Sequence, residues 1–171
     1  GMGKALAANF PVAAQVFAEV DEALGDKLSA TIFEGPADKL TLTENAQPAL
    51  MAMSLAAFRV LEQEVGLDLK RDAQFVAGHS LGEYSALAAA GAFTIADTAR
   101  LLRIRGQAMQ KAVPVGVGAM AALIGLEFEA AVAVAAEAAG AQVCQAANDN
   151  GGGQVVVSGD KAAVERAVEI A

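Results

Sequence analysis

The sequence predicts an α/β protein in two parts, and three observations predict it. Apolar residues at helical spacing dominate the first hundred positions. A short apolar run at residues 73–77 leads through a glycine-flanked turn into a further helix. Beyond Gly116 the texture becomes strand, helix, strand, strand, helix.

Taken in order, Leu6, Phe10, Ala13, Val16, Phe17, Val20 and Leu24 recur every three or four residues. They predict one amphipathic helix over residues 4–24, stopped by Gly25, with Pro11 as the place for a bend. Residues 28–42 read as irregular, punctuated by Gly35-Pro36. Thr43 or Asn45 can N-cap a second helix running to about Glu64. Its stripe is Leu50, Met53, Ala57, Val60 and Leu61, its end is Gly66, and Pro48 is placed in its first turn, where proline is tolerated. Residues 73–77 (Ala-Gln-Phe-Val-Ala) fit a buried strand. A third helix follows the turn at 78–82, and a fourth covers about 95–112, ended by Pro114 and Gly116.

The second part reads as a strand at 118–125, a helix at 127–139, a strand at 141–147, a turn at Gly151-Gly152-Gly153, a strand at 154–158 and a helix from 160 to the end. This β-α-β-β-α order is the ferredoxin-like pattern short of one final strand. The boundary is expected within 113–117, dividing the chain into 1–115 and 116–171.

Composition excludes several classes. With 171 residues the chain is long enough for an ordinary core, and 55% hydrophobic residues exclude intrinsic disorder. Its one cysteine cannot form an internal disulfide, and one Cys with one His cannot build a zinc site of three or four nitrogen and sulfur ligands. A metalloenzyme of that kind is therefore not expected. Twelve Lys and Arg against twenty Asp and Glu give a net charge of −8, which disfavours nucleic acid as a partner. No window reaches the apolar length of a membrane span, and residues 1–6 lack the apolar core of a secretory signal. The expectation is a cytoplasmic protein with no membrane partner.

The most informative segment is Phe75-Val76-Ala77-Gly78-His79-Ser80-Leu81-Gly82-Glu83-Tyr84, in which a strand pattern enters G-x-S-x-G and then a helix. In a nucleophile elbow the serine sits on a sharp, strained turn, so the positions two before and two after carry almost no side chain. Gly78 and Gly82 meet that need. The turn leaves the Ser80 hydroxyl at a helix N-terminus, where unpaired N–H groups favour negative charge, and the Leu81 N–H is a natural oxyanion donor. The bland alternative is a serine that merely caps the helix. His79 adjoins the nucleophile, and neighbouring side chains on such a turn diverge. It is therefore a poor general base, and a packing or hydrogen-bonding place under the turn suits it better. A histidine that activates Ser80 is then not among these residues.

On the fourth helix Arg105 falls beside Leu101, Leu102, Ala108 and Met109, while Arg100 and Arg103 can point outward. A guanidinium on an apolar stripe is costly unless it is paired. Spacing leaves two readings open: a structural ion pair with an internal Asp or Glu, or a receptor for a substrate carboxylate. Gln47, beside Pro48 at a helix start, reads as a local hydrogen-bonding residue, and Glu83 and Tyr84 read as first-turn partners. The triglycine run lacks the Lys-Ser/Thr of a phosphate loop, and Cys144 reads as an ordinary strand residue.

Gly78-His79-Ser80-Leu81-Gly82-Glu83-Tyr84-Ser85-Ala86-Leu87 resembles the malonyl-CoA:acyl-carrier-protein transacylases of fatty-acid synthesis. Asn45-Ala46-Gln47-Pro48-Ala49-Leu50, Arg105-Gly106-Gln107-Ala108-Met109-Gln110 and Gly118-Ala119-Met120-Ala121-Ala122 match the same family in the same order. The resemblance implies an α/β-hydrolase-like large subdomain, here incomplete, carrying an inserted ferredoxin-like small subdomain, also incomplete. It further implies Ser80 as the residue that carries the malonyl group, Arg105 as the grip on its free carboxylate, the Leu81 N–H in the oxyanion hole and Gln47 lining the site. The partners implied are malonyl-CoA, as a substrate, and acyl carrier protein, and no metal or bound cofactor is implied. The family opens with a strand and a G-Q-G-S-Q loop and places its catalytic histidine after the last strand of the small subdomain. The chain therefore resembles an internal fragment.

Three readings stand beside one another: the malonyl transferase, with polyketide-synthase acyltransferase domains sharing its plan; a serine thioesterase or carboxylesterase using the same elbow with water as acceptor; and a binding or structural module.

Overall fold

The structure is a computed structural model that describes residues 1–114 and 116–171. It is of mixed α/β class, with two compact units, Gly1–Lys111 and Ala112–Ala171. The expected limit at residue 115 falls on a position outside the described residues.

The first unit is helical. Its opening segment forms two helices, α1 (Lys4–Asn9) and α2 (Pro11–Leu24), where periodicity predicted one. Proline disfavours the α conformation at the residue before it. Phe10 is accordingly extended (φ −126°, ψ 109°), and Pro11 opens α2 at a position where its missing N–H costs nothing. Residues 28–42, expected to be irregular, form α3 (Leu28–Glu34) and α4 (Ala37–Thr41). The start of α3 is secured from a distance, since the Asp21 carboxylate on α2 accepts the Ser29 N–H at 2.8 Å and the Ser29 hydroxyl at 2.7 Å.

The long helix α5 (Thr43–Val65) begins at Leu42 with no side-chain cap, so neither Thr43 nor Asn45 caps it, and Pro48 lies inside it rather than in its first turn. Small fully buried residues on α5, Ala49, Ala52 and Ala56, sit in one core with Met51, Leu55 and, from α2 and α3, Phe17, Val20, Leu28 and Ile32. Phe17 meets Phe33 edge to face at 4.9 Å. One further turn, α6 (Leu69–Asp72), is capped by Asp68.

Residues 73–77 are not a strand. Among the described residues no strand pairs with them, and Phe75 is 88% exposed, so an apolar run that sequence assigns to a sheet has no sheet to join here. Then come α7 (Leu81–Ala89) and α8 (Ile95–Ala112), the latter with the bounds expected of it.

The second unit is a three-stranded antiparallel sheet with two helices, in the order β1 (Gly118–Ile124), α9 (Phe128–Ala139), β2 (Cys144–Asp149), β3 (Gln154–Asp160), α10 (Lys161–Ile170). The sheet order is β1-β3-β2, with Leu123 opposite Val155 and Ala146 opposite Val157. Leu123, Cys144, Val155 and Val157 share a buried core with Ala131, Ala135, Ala138, Ala163, Val164 and Ala167 of the helices. β2 starts three residues later than expected because a turn fills 140–143. Gly140 has φ 54°, the Gln142 N–H donates to the Ala139 carbonyl at 2.8 Å, and Arg166 donates to the Gln142 side-chain oxygen at 2.8 Å. The triglycine segment is the hairpin turn between β2 and β3, with the Gly151 N–H on the Asp149 carboxylate.

Candidate active site

The site is built where three helices of the first unit meet: the N-terminus of α7, the first turns of α5 and the middle of α8. Ser80, the residue before α7, has φ 54° and ψ −117°, and it is the non-glycine residue with positive φ among those described. Such a backbone costs on the order of 1–3 kcal/mol for a residue with a Cβ, so the surrounding turn must impose it. Gly78 allows the turn to close, because a Cβ there would lie 2.0 Å from the Gly82 carbonyl carbon. Gly82 does not have the matching steric need, since a Cβ on it would meet nothing within 4 Å. The turn is tied by the Gly82 N–H on the His79 carbonyl (2.9 Å) and the Glu83 N–H on the Ser80 carbonyl (3.3 Å).

The simple capping role is overturned: the Ser80 side chain makes no cap hydrogen bond to α7. Its Oγ instead accepts a hydrogen bond from Arg105 Nη2 at 3.1 Å. The other guanidinium nitrogen, Nη1, donates to Gln47 Oε1 at 2.5 Å, and the Arg105 guanidinium carbon lies 5.9 Å from the centre of the Tyr84 ring. The structural ion pair that spacing allowed for Arg105 is also overturned, since among the described residues its partners are an amide oxygen, a hydroxyl and an aromatic ring, all neutral. The side chain runs from a buried amide, Gln47 being 4% exposed, to an exposed hydroxyl. A half-buried cation with only neutral partners has unused capacity for an anion, and a guanidinium offers a carboxylate two parallel N–H bonds.

Leu81 is the first residue of α7, so its N–H has no intrahelical acceptor and stands beside the serine at the positive end of the helix dipole. His79 is exposed, not packed beneath the turn. Arg103, expected to point outward, is turned in. Its side chain is 16% exposed, Nη1 donates to Asn45 Oδ1, and Nη2 lies 3.5 Å from the Asp26 carboxylate. Arg100 does point out, paired with Asp97 at 3.0 Å.

Three further residues belong to the site. Gln47 Nε2 donates to Thr43 Oγ1 at 2.8 Å and to Met109 Sδ at 3.3 Å, and Tyr84 supplies the ring near Arg105. Two of them stand four residues along one helix from a residue already singled out, Thr43 from Gln47 on α5 and Met109 from Arg105 on α8, while Tyr84 lies in the first turn of α7 after Ser80. On a helix a spacing of four puts side chains side by side. For Thr43 and Met109 the signal was in the sequence and needed only the second step along each helix face.

The family model described as acyl transferase domain matches residues 1–171. The malonyl CoA-acyl carrier protein transacylase of Escherichia coli K12 is 47% identical over 167 residues, covering 98% of this chain and 53% of its own length. Among solved structures, the acyl-carrier-protein-S-malonyltransferase of Bartonella henselae is 62% identical with a TM-score of 0.92, covering 100% of this chain and 54% of that one. A malonyl-transacylase solved in complex with its type II PKS acyl-carrier protein is 46% identical with a TM-score of 0.88, covering 99% of this chain and 53% of that one. The chain thus spans about half the length of the relatives it matches.

Proposed function

The chain belongs to the acyl transferase domain family, and from that membership we propose that it transfers a malonyl group from malonyl-CoA to the phosphopantetheine thiol of acyl carrier protein, in fatty-acid biosynthesis. Ser80 Oγ attacks the thioester carbonyl, the carbon–sulfur bond breaks, and coenzyme A leaves as its thiol while malonate stays esterified to Ser80. The carrier-protein thiol then attacks that ester and regenerates the serine hydroxyl. Leu81 donates its N–H to the oxyanion formed in each half-reaction. Arg105 holds the free carboxylate of the malonyl group, and Gln47 lines the pocket against Arg105. The proton leaves Ser80 to a histidine other than His79. No metal or cofactor takes part, and both substrates meet the enzyme in the cytoplasm.

The single observation that carries this reading is the 3.1 Å contact of Arg105 with Ser80 Oγ in the absence of an acidic partner for the guanidinium among the described residues. A cation placed beside the nucleophile selects acyl groups that end in an anion. In fold terms we assign residues 1–115 to an α/β-hydrolase-like subdomain and 116–171 to a ferredoxin-like small subdomain. The carrier protein of a polyketide assembly is the second reading, favoured by the relative solved with such a partner.

The test is Arg105→Ala in the full-length protein, assayed with malonyl-CoA and acetyl-CoA. Malonyl transfer falls about 10- to 100-fold more than acetyl transfer, the range of a lost charge-assisted hydrogen bond. Equal losses for the two substrates would remove the carboxylate clamp.

A further inference from the structure

Thr43 touches neither Ser80 nor Arg105 through any bond described above, yet the chemistry of Gln47 makes it decisive for both. Arginine has donors only, so a side-chain amide that meets it must present its oxygen. Gln47 does so, with Oε1 2.5 Å from Arg105 Nη1. The amide nitrogen must then face the other way and, because Gln47 is itself buried, find its acceptors among neighbouring side chains. It finds the Thr43 hydroxyl at 2.8 Å and the thioether of Met109, a weak acceptor, at 3.3 Å. Turning the amide over would set N–H against N–H at Arg105 and leave a buried donor unpaired. Arg105 thus sets which way the Gln47 amide faces, and the Thr43 hydroxyl, by accepting its N–H, holds the amide there and with it Nη1, leaving Nη2 free to change acceptor.

We infer that Thr43 is a positioning residue for acyl-group selection: through Gln47 it anchors Arg105 Nη1, so that Nη2 can exchange Ser80 Oγ for the carboxylate of the bound acyl group. Before acylation Nη2 donates to the Ser80 hydroxyl oxygen. Once that oxygen belongs to an ester it is a poorer acceptor, and a carboxylate on the acyl chain takes over the donor. This inference rests on the carboxylate-clamp reading given above and adds to it the residue that holds the clamp in register.

The experiment compares wild type, Thr43→Val, Thr43→Ser and Arg105→Ala in the full-length protein, measuring kcat/KM for malonyl-CoA and acetyl-CoA. Thr43→Val keeps the shape and removes the acceptor. It is expected to lower the malonyl-to-acetyl ratio about three- to tenfold, the equivalent of one hydrogen bond, and Thr43→Ser to restore it. A general loss of packing would lower both substrates together and would not be rescued by serine. If Arg105→Ala leaves the ratio unchanged, the clamp itself fails. If Arg105→Ala collapses the ratio while Thr43→Val keeps it, or Thr43→Ser fails to restore it, the positioning role is overturned and the clamp survives. Should Thr43→Val not fold, the same comparison is read from Thr43→Ala against Thr43→Ser, and equal ratios in those two overturn it.

Discussion

A Cβ on Gly106 would lie 2.4 Å from the Cα of Glu44, with the Thr43 carbonyl oxygen at 2.7 Å. The middle of α8 therefore crosses the first turn of α5 with backbone nearly against backbone. Around this crossing two arginine–amide pairs form at the same sequence offset, Arg103 with Asn45 and Arg105 with Gln47. The first ties the helices together, and the second sits beside the serine.

The crossing predicts the sign of Gly106→Ala. In an ordinary helix interior this change stabilises by about 1 kcal/mol. Here the new methyl meets main chain, which cannot rotate away, and overpacking of that kind costs about 1–3 kcal/mol or more. Urea unfolding should show a net loss, and the malonyl-to-acetyl ratio should fall as Gln47 and Arg105 are pushed apart. A more stable Gly106→Ala protein would mean the helices are not in close contact.

The two arginines should separate stability from selectivity. Arg103→Ala leaves the buried Asn45 oxygen without its charged donor. The expected cost is about 1–2 kcal/mol, mostly from that hydrogen bond, because the Asp26 partner is well exposed. Its malonyl-to-acetyl ratio should stay within about twofold of wild type, since Arg103 touches neither Ser80 nor Gln47 in the bonds described. Arg105→Ala should do the reverse. A selectivity loss in Arg103→Ala as large as that in Arg105→Ala would show that the two pairs act as one unit.

The strained turn makes a prediction that separates backbone from chemistry. At φ 54° and ψ −117° glycine is comfortable and alanine is not. Ser80→Gly should therefore be more stable than Ser80→Ala by about 1 kcal/mol, and neither should form a covalent adduct with malonyl-CoA by intact mass. Equal stabilities would mean the turn relaxes when the hydroxyl is absent.

What could be read from sequence divides by the range of the forces involved. The G-x-S-x-G turn, the bounds of α8 and the strand and helix order after Gly116 follow from residues near one another in the chain. The break at Phe10 was equally local, and the rule for the residue before proline would have given it. The start of α3 was not legible, because its cap comes from Asp21 on another helix. Nor was the burial of Arg103, which depends on Asn45 and Asp26 arriving from elsewhere. The run at 73–77 has strand composition, but a strand exists only when a partner supplies its hydrogen bonds. For Arg105 periodicity identified the right face and left its partner open, because only tertiary structure shows which neighbours are neutral.

The second unit offers a pH test independent of the serine site. Burial in the core between β2 and the helices pushes the Cys144 thiol above its ordinary value of 9.0, with Arg166 pulling weakly the other way. In the unfolded chain the thiol ionises at its ordinary value, whereas the folded protein still holds the proton. Above that value the unfolded state therefore binds fewer protons, and stability falls as pH rises; below it both states are protonated and the group has no effect. Unfolding followed from pH 8 to 10 should show a decline in wild type that is shallower in Cys144→Ala, once the lost packing, constant with pH, is subtracted. In parallel, a thiol reagent at pH 8 should label native protein at least about tenfold more slowly than urea-unfolded protein, because the reactive thiolate is both scarce and covered. Equal labelling rates, together with parallel pH profiles for the two proteins, would mean that Cys144 is open to solvent.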